Sequence, residues 1–225
     1  MNAAYNDVLK RLKQERQRLC LTQEEMGLCA RMSQSNYSKI ELGSRRLSYC
    51  ELQYLCDTDI DLYYIFTGSR CSKKYNEVFF NYSYQELLCF LNIVSSVSEL
   101  CYANEGGDNR RHERVQSGLF RLSDWEHRLN RNVFLSLRQS LEYSQFEMAV
   151  KLGVDVKKLR ALENGRCLPD SELISKLYQA FYISPAVVLK DKKGVISEIG
   201  LLMESMDEET GEDVFQFVRS IQRVT

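Results

Sequence analysis

Apolar residues recur at three- and four-residue spacing along most of the chain. Val8, Leu9, Leu12 and Leu19 fall on one face together with Arg16, the period of a helix packed on one side. Thr22-Gln-Glu-Glu25 then has the pattern of a capping box opening a second, short helix. Ser33 is a suitable N-cap for a third helix, whose C-cap is Gly43. Helices restarting so soon require sharp turns, and no period-two alternation persists anywhere. The expectation is an all-α fold.

The same pattern returns further along. Shifted by 122 positions, Arg16, Gln17, Leu19, Gln23, Glu25, Met26, Glu41, Gly43 and Leu55 fall on Arg138, Gln139, Leu141, Gln145, Glu147, Met148, Glu163, Gly165 and Leu177. Thr22 falls on Ser144, Gly27 on Ala149 and Ile40 on Leu162, and Asp155 N-caps the third helix of the second copy. An ungapped offset of this length implies one helical unit used twice. With 225 residues, the chain accommodates two small domains and connecting material. The expected boundaries are 1–75 for the first unit, 76–122 for a helical connector and loop, 123–190 for the second unit and 191–225 for an acidic helical tail.

Two stretches outside the repeats change the picture. Ser83-Tyr-Gln-Glu86 opens a long helix carrying Leu87, Leu88, Phe90, Leu91, Ile93, Val94, Val97, Leu100 and Cys101. Apolar on more than one stripe, it must be buried, either between the repeats or in a homodimer through the 83–103 helix with Leu87, Leu91 and Val94 near heptad spacing. Glu105 to Arg111 reads as a Gly-rich loop, and Ser123-Asp-Trp-Glu126 as a cap leading into the second copy with Trp125 and Leu129 on one side. Near the end, Val214, Phe217, Val218 and Ile221 form an apolar face. That C-terminal helix either closes the second unit or forms a dimer contact.

Charge sharpens the division. The net charge is -1, yet residues 1–75 carry 12 Lys/Arg against 9 Asp/Glu and residues 131–190 carry 9 against 6. Residues 76–130 carry 5 against 8, and 191–225 carry 4 against 8. Positive charge therefore gathers in the repeats, as a phosphate-facing module needs. The eight cysteines lack zinc-ligand spacing. Cys29, Cys50, Cys56 and Cys89 sit at apolar positions and are expected to be buried free thiols. His112 and His127 have no partner ligands in the sequence. No secretory leader or run of membrane-spanning length is visible, so a reduced, cytoplasmic protein is expected.

Arg16, the phrase Leu21-Thr22-Gln23-Glu24-Glu25-Met26-Gly27, Ser33-Gln34-Ser35, Lys39-Ile40-Glu41-Leu42-Gly43 and Ile65-Phe66-Thr67-Gly68 form one set of motifs. The second copy supplies Arg138, Tyr143-Ser144-Gln145-Phe146-Glu147-Met148-Ala149, Leu162-Glu163-Asn164-Gly165-Arg166, Pro169, Ile183-Ser184-Pro185 and Val187-Val188-Leu189. Covering about half the chain, these motifs resemble the Cro/phage-repressor type helix-turn-helix domains, also called the xenobiotic-response-element family. The resemblance implies a buried ion pair in each copy, Arg16 with Glu41 and Arg138 with Glu163, in a scaffold role. Three positions depart from the family pattern: Arg31 where Gly is usual and Gly153 stands in the second copy, Tyr37 in place of Ile or Val, and Leu47 where the second copy has Pro169.

The resemblance also implies double-stranded DNA as partner, with the third helix in the major groove, where amides and guanidinium groups match base edges. In copy one that face offers Gln34, Ser35, Asn36, Ser38 and Lys39. Thr22 and Gln23, like Ser144 and Gln145, stand at a helix start suited to phosphate, and Arg45 and Arg46 would reach the backbone. Copy two offers Lys157, Lys158, Arg160 and Arg166, which suit phosphate better than bases. A unit repurposed to bind protein, or to pack on copy one, is the alternative there. The whole reads as a repressor-like transcriptional regulator, and its rival is an adaptor or inhibitor whose units bind a partner protein. For an enzyme there is no phosphate loop, nucleophile constellation or metal set, and no cofactor is expected. Asp57, Asp59 and Asp61 lack the Gly and final Glu of a calcium loop, so capping is expected of them.

Overall fold

The computed structural model describes residues 3–71, 75–105 and 133–222. Within them every regular element is a helix. The first repeat comprises α1 (Ala3–Arg18), α2 (Gln23–Cys29), α3 (Gln34–Glu41), α4 (Tyr49–Cys56) and α5 (Leu62–Thr67). The connector holds α6 (Asn76–Phe79) and α7 (Tyr84–Glu105). The second repeat comprises α8 (Val133–Ser140), α9 (Gln145–Leu152), α10 (Val156–Glu163), α11 (Ser171–Phe181) and α12 (Pro185–Leu189). The tail forms α13 (Lys192–Glu204) and α14 (Glu208–Gln222). The readings at Gly106 to Arg111, His112, Ser123 to Glu126, His127 and Leu129 lie outside the described residues.

The repeat extends to the backbone. Left-handed conformations at Cys20, Arg31, Gly43 and Gly68 fall at Glu142, Gly153, Gly165 and Lys190 in the second copy, at the same offset. Four of these eight residues have neither glycine's freedom nor asparagine's small polar side chain, and three of them, Cys20, Glu142 and Lys190, hold a conformation costing roughly 1–2 kcal/mol because the chain must turn there. Arg31 is the fourth. Its guanidinium lies 4.1 Å from the centre of the Tyr54 ring, a cation–π contact that offsets part of that cost.

The repeats share one core. Tyr5, Leu12, Met26, Tyr37, Ile40, Leu52, Leu55 and Ile65 belong to a single buried cluster with Phe134, Met148, Leu159, Leu162, Ile174 and Leu177. Polar contacts seal the junction: Ser171 N donates to Leu47 O at 2.9 Å, and Leu47 N donates to Ser171 Oγ at 3.2 Å. Tyr5 Oη and Ser171 Oγ are 2.6 Å apart, and Tyr49 Oη donates to Val188 O at 3.2 Å. The two repeats therefore share a common interior.

Connector and tail build a second cluster. Phe79, Leu87, Leu91 and Val94 pack with Val195, Ile196, Ile199 and Met203, so the long helix α7 lies chiefly on α13. This corrects one expectation: the stripe of Leu87, Leu91 and Val94 offered for a homodimer is buried within the chain. The C-terminal helix needs a similar correction. Val214 and Val218 are buried as expected, but Phe215 is buried with them and Phe217 is 51% exposed, so the apolar face takes Phe215 in place of Phe217. Cys50 and Cys89 are exposed rather than buried, while Cys29 and Cys56 are partly buried. Asp61 caps α5 by accepting from Tyr64 N at 2.8 Å and pairs with Arg70 at 3.0 Å. No helix of the described residues is long and apolar enough to cross a membrane.

Candidate nucleic-acid interface

Each repeat carries a short helix, a tight turn and a second short helix. Thr22 Oγ1 accepts from Glu25 N while Thr22 N donates to Glu25 Oε2, completing the capping box of α2. Ser144 and Glu147 do the same for α9. Each such cap stabilises its helix by about 1 kcal/mol. It also occupies the Thr22 and Ser144 side-chain oxygens, which are exposed but already act as acceptors. Met32 N then donates to Gly27 O at 2.9 Å, and Val154 N to Ala149 O at 3.0 Å. The turn is thus the same in both copies, although Arg31 stands where the second has Gly153. At Gly27 an added Cβ would sit 3.0 Å from Met32 O. The small residue answers the close approach of the turn backbone.

A polar lock holds the two short helices to the first. Arg16 Nε donates to Glu41 Oε1 at 2.7 Å and its Nη1 to Leu21 O at 2.8 Å; Gln23 Nε2 donates to Glu41 Oε2 at 2.8 Å. In copy two Arg138 donates to Glu163 and to Tyr143 O, and Gln145 Nε2 donates to Glu163 Oε2 at 2.9 Å. The expected ion pairs are both formed. Tyr37 explains its own presence, since its hydroxyl donates to Glu41 Oε1 at 3.1 Å. Burial pushes the Glu41 carboxyl up, but the donors Arg16, Gln23 and Tyr37 outweigh it and hold its pKa below the ordinary value. Burial beside that carboxylate drives the Tyr37 phenol well above its usual range.

The remaining site residues divide into engaged and presented groups. Gln34, Ser35 and Lys39 are exposed along α3, with Asn36 and Ser38 partly covered. On the second copy Lys157 and Arg166 are exposed, and neither has an ion-pair partner among the described residues. Gln23 and Gln145, expected against phosphate, are instead directed inward to Glu41 and Glu163. Arg160 Nε donates to Gln145 Oε1 at 2.9 Å, so it too is held by its own domain. Arg45 pairs with Glu51. Arg46 crosses the junction to Glu172 and stands 3.9 Å from Asp170, which also lies 3.6 Å from Lys158 Nζ. Lys176 completes this alternating row at 3.2 Å from Glu172.

The row lines a recess of about 220 Å³ beside the start of α10. Its cations face carboxylates of the same recess, so the charge there is largely neutralised internally. Sequence reasoning missed this arrangement because Arg46 and Glu172 belong to different copies. It also missed Leu28, Phe146 and Val150, large apolar side chains left exposed on α2 and α9.

No protein-family model, curated protein or solved structure matches the chain.

Proposed function

We propose that this protein binds double-stranded DNA sequence-specifically, as a repressor-like transcriptional regulator built from two helix-turn-helix units of the Cro/phage-repressor type. One observation carries the reading. Two equivalent helix-turn-helix arrangements, each locked by an Arg–Glu–Gln cluster, present polar or cationic side chains from the first turns of their second short helix: Gln34 and Ser35 in one, Lys157 in the other. A rigid scaffold behind an exposed polar helix suits insertion into a major groove, where an amide such as that of Gln34 pairs with adenine. Lys39, Lys157 and Arg166 then neutralise phosphate. The test is a mobility-shift titration across salt concentrations, because phosphate contacts make affinity fall steeply with ionic strength. Absence of salt-sensitive association with any duplex would overturn the proposal.

A rival reading draws on a specific observation. Phe146 and Val150 are one helical turn apart on α9 and both exposed, as a surface for a partner polypeptide would be. In that case Phe146→Ser and Val150→Ser abolish partner capture and leave duplex binding untouched.

A further inference from the structure

The two repeats meet through the same surface. Helix α5 packs against its own counterpart, α12. Helix α4 packs against α12, and the reciprocal pair, α11 against α5, is also present. The segment entering α4 meets the first residue of α11, through the paired hydrogen bonds of Leu47 and Ser171. Leu47 and its equivalent Pro169 are both buried. Reciprocal contact of one surface with itself is what a two-fold relation produces; a head-to-tail array would join two different surfaces. The chain therefore holds internally the arrangement that a symmetric dimer makes from two chains.

The faces so related are not alike. At equivalent positions of α3 and α10, Gln34 answers to Val156, Ser35 to Lys157, Asn36 to Lys158, Ser38 to Arg160 and Lys39 to Ala161. The leading amide of the first helix is a valine in the second. Arg160, the one guanidinium on α10, is tied to Gln145, which is tied in turn to Glu163. Ser38 is too short to make the same link in the first copy.

We propose that one chain occupies one DNA site as a covalent pseudo-dimer, reading bases with the first repeat and gripping phosphate with the second. The target is then an asymmetric duplex whose sequence information lies in a single half-site. This rests on the DNA-binding reading above. Two apolar surfaces suited to a second copy are covered within the chain: α5 and α12 cover each other, and Leu87, Leu91 and Val94 are covered by α13.

Selection of duplexes from a random pool by the full-length protein, followed by sedimentation of the saturated complex, tests it. The expected result is one informative half-site beside a half without base preference, at one chain per duplex. Gln34→Ala should reduce discrimination within that half-site about tenfold. Lys157→Ala should leave the selected sequence unchanged and lower the salt slope by about 1. Palindromic sites bearing two chains, or two equally informative half-sites, would overturn the pseudo-dimer reading while DNA binding stands. Failure to select or bind any duplex would overturn both.

Discussion

Tyr5 and Ser171 stand 166 positions apart, and their hydroxyl oxygens lie 2.6 Å from each other in the buried seam between the repeats. Ser171 Oγ also accepts from the Leu47 amide, so one small side chain ties α1, α11 and the segment before α4. Burial raises the Tyr5 phenol to about 12, which keeps it a neutral hydrogen-bonding group at ordinary pH. Tyr5→Phe and Ser171→Ala should each cost about 1 kcal/mol in urea unfolding. The double variant should cost less than their sum, because the two share one bond. Strict additivity would refute the contact.

The two polar locks should differ in strength. Glu41 accepts from Arg16, Gln23 and Tyr37, whereas Glu163 accepts from Arg138 and Gln145. Glu41→Ala leaves a guanidinium that is 13% exposed without its partner, a loss of about 3 kcal/mol, and strands the Tyr37 hydroxyl as well. Glu163→Ala should cost less. Chemical denaturation of both variants gives the order, and an inverted order would show that the tyrosine contributes nothing.

Stability should fall as pH rises from about 4.5 to about 7 because of Glu198. Burial lifts its carboxyl to about 7, against a hydrogen bond from Ser184 that pulls it down. Between the ordinary value of 4.5 and about 7, the folded chain keeps a proton that the unfolded chain has released, so the native state loses stability across that window. Glu198→Gln should flatten the dependence and exceed the native protein in thermal stability at pH 8. An unchanged pH profile in the variant would sink the assignment.

Arg31 and Gly153 offer matched tests of the turn. Both are left-handed, at φ 54° and 59°. Gly153→Ala should destabilise by about 1 kcal/mol from backbone strain. Arg31→Gly relieves that strain but loses the contact with Tyr54, so its midpoint should move little. A large loss on Arg31→Gly would mean that the ring contact, rather than the turn, dominates there.

On the nucleic-acid side, Lys39→Ala and Arg166→Ala should each reduce the dependence of affinity on salt by about one ion. Arg46→Ala should not, since Arg46 is engaged with Glu172. Fluorescence anisotropy at a series of salt concentrations separates these outcomes. A reduced slope for Arg46→Ala would place its guanidinium on DNA.

The helices, caps and ion pairs of each repeat were legible because they depend on residues within about 25 positions and appear twice. Arg16 with Glu41 and Arg138 with Glu163 repeat at one offset, and their capping boxes follow suit. What joins the copies was not legible, because no periodicity signals that Arg46 will meet Glu172 or that Leu47 will meet Ser171. Tyr37 and Glu41 are four apart on one helix, so their bond could have been anticipated. The final helix illustrates another limit. Val214 and Val218 are compatible with either Phe215 or Phe217 as the third member, and only packing in the second cluster, where the Phe215 ring meets Tyr75 edge-on, chose Phe215.

The reciprocal seam between α5 and α12 has an evolutionary consequence. In an assembly of identical chains, every substitution in the reading surface is made twice, and both halves of the target must change with it. Here the partner is tethered, so its local concentration does not depend on how much protein a cell makes. Each half is then at liberty to drift alone. The contrast between Gln34 and Val156 is the mark such drift would leave: a duplicated scaffold whose two faces no longer answer to the same selection.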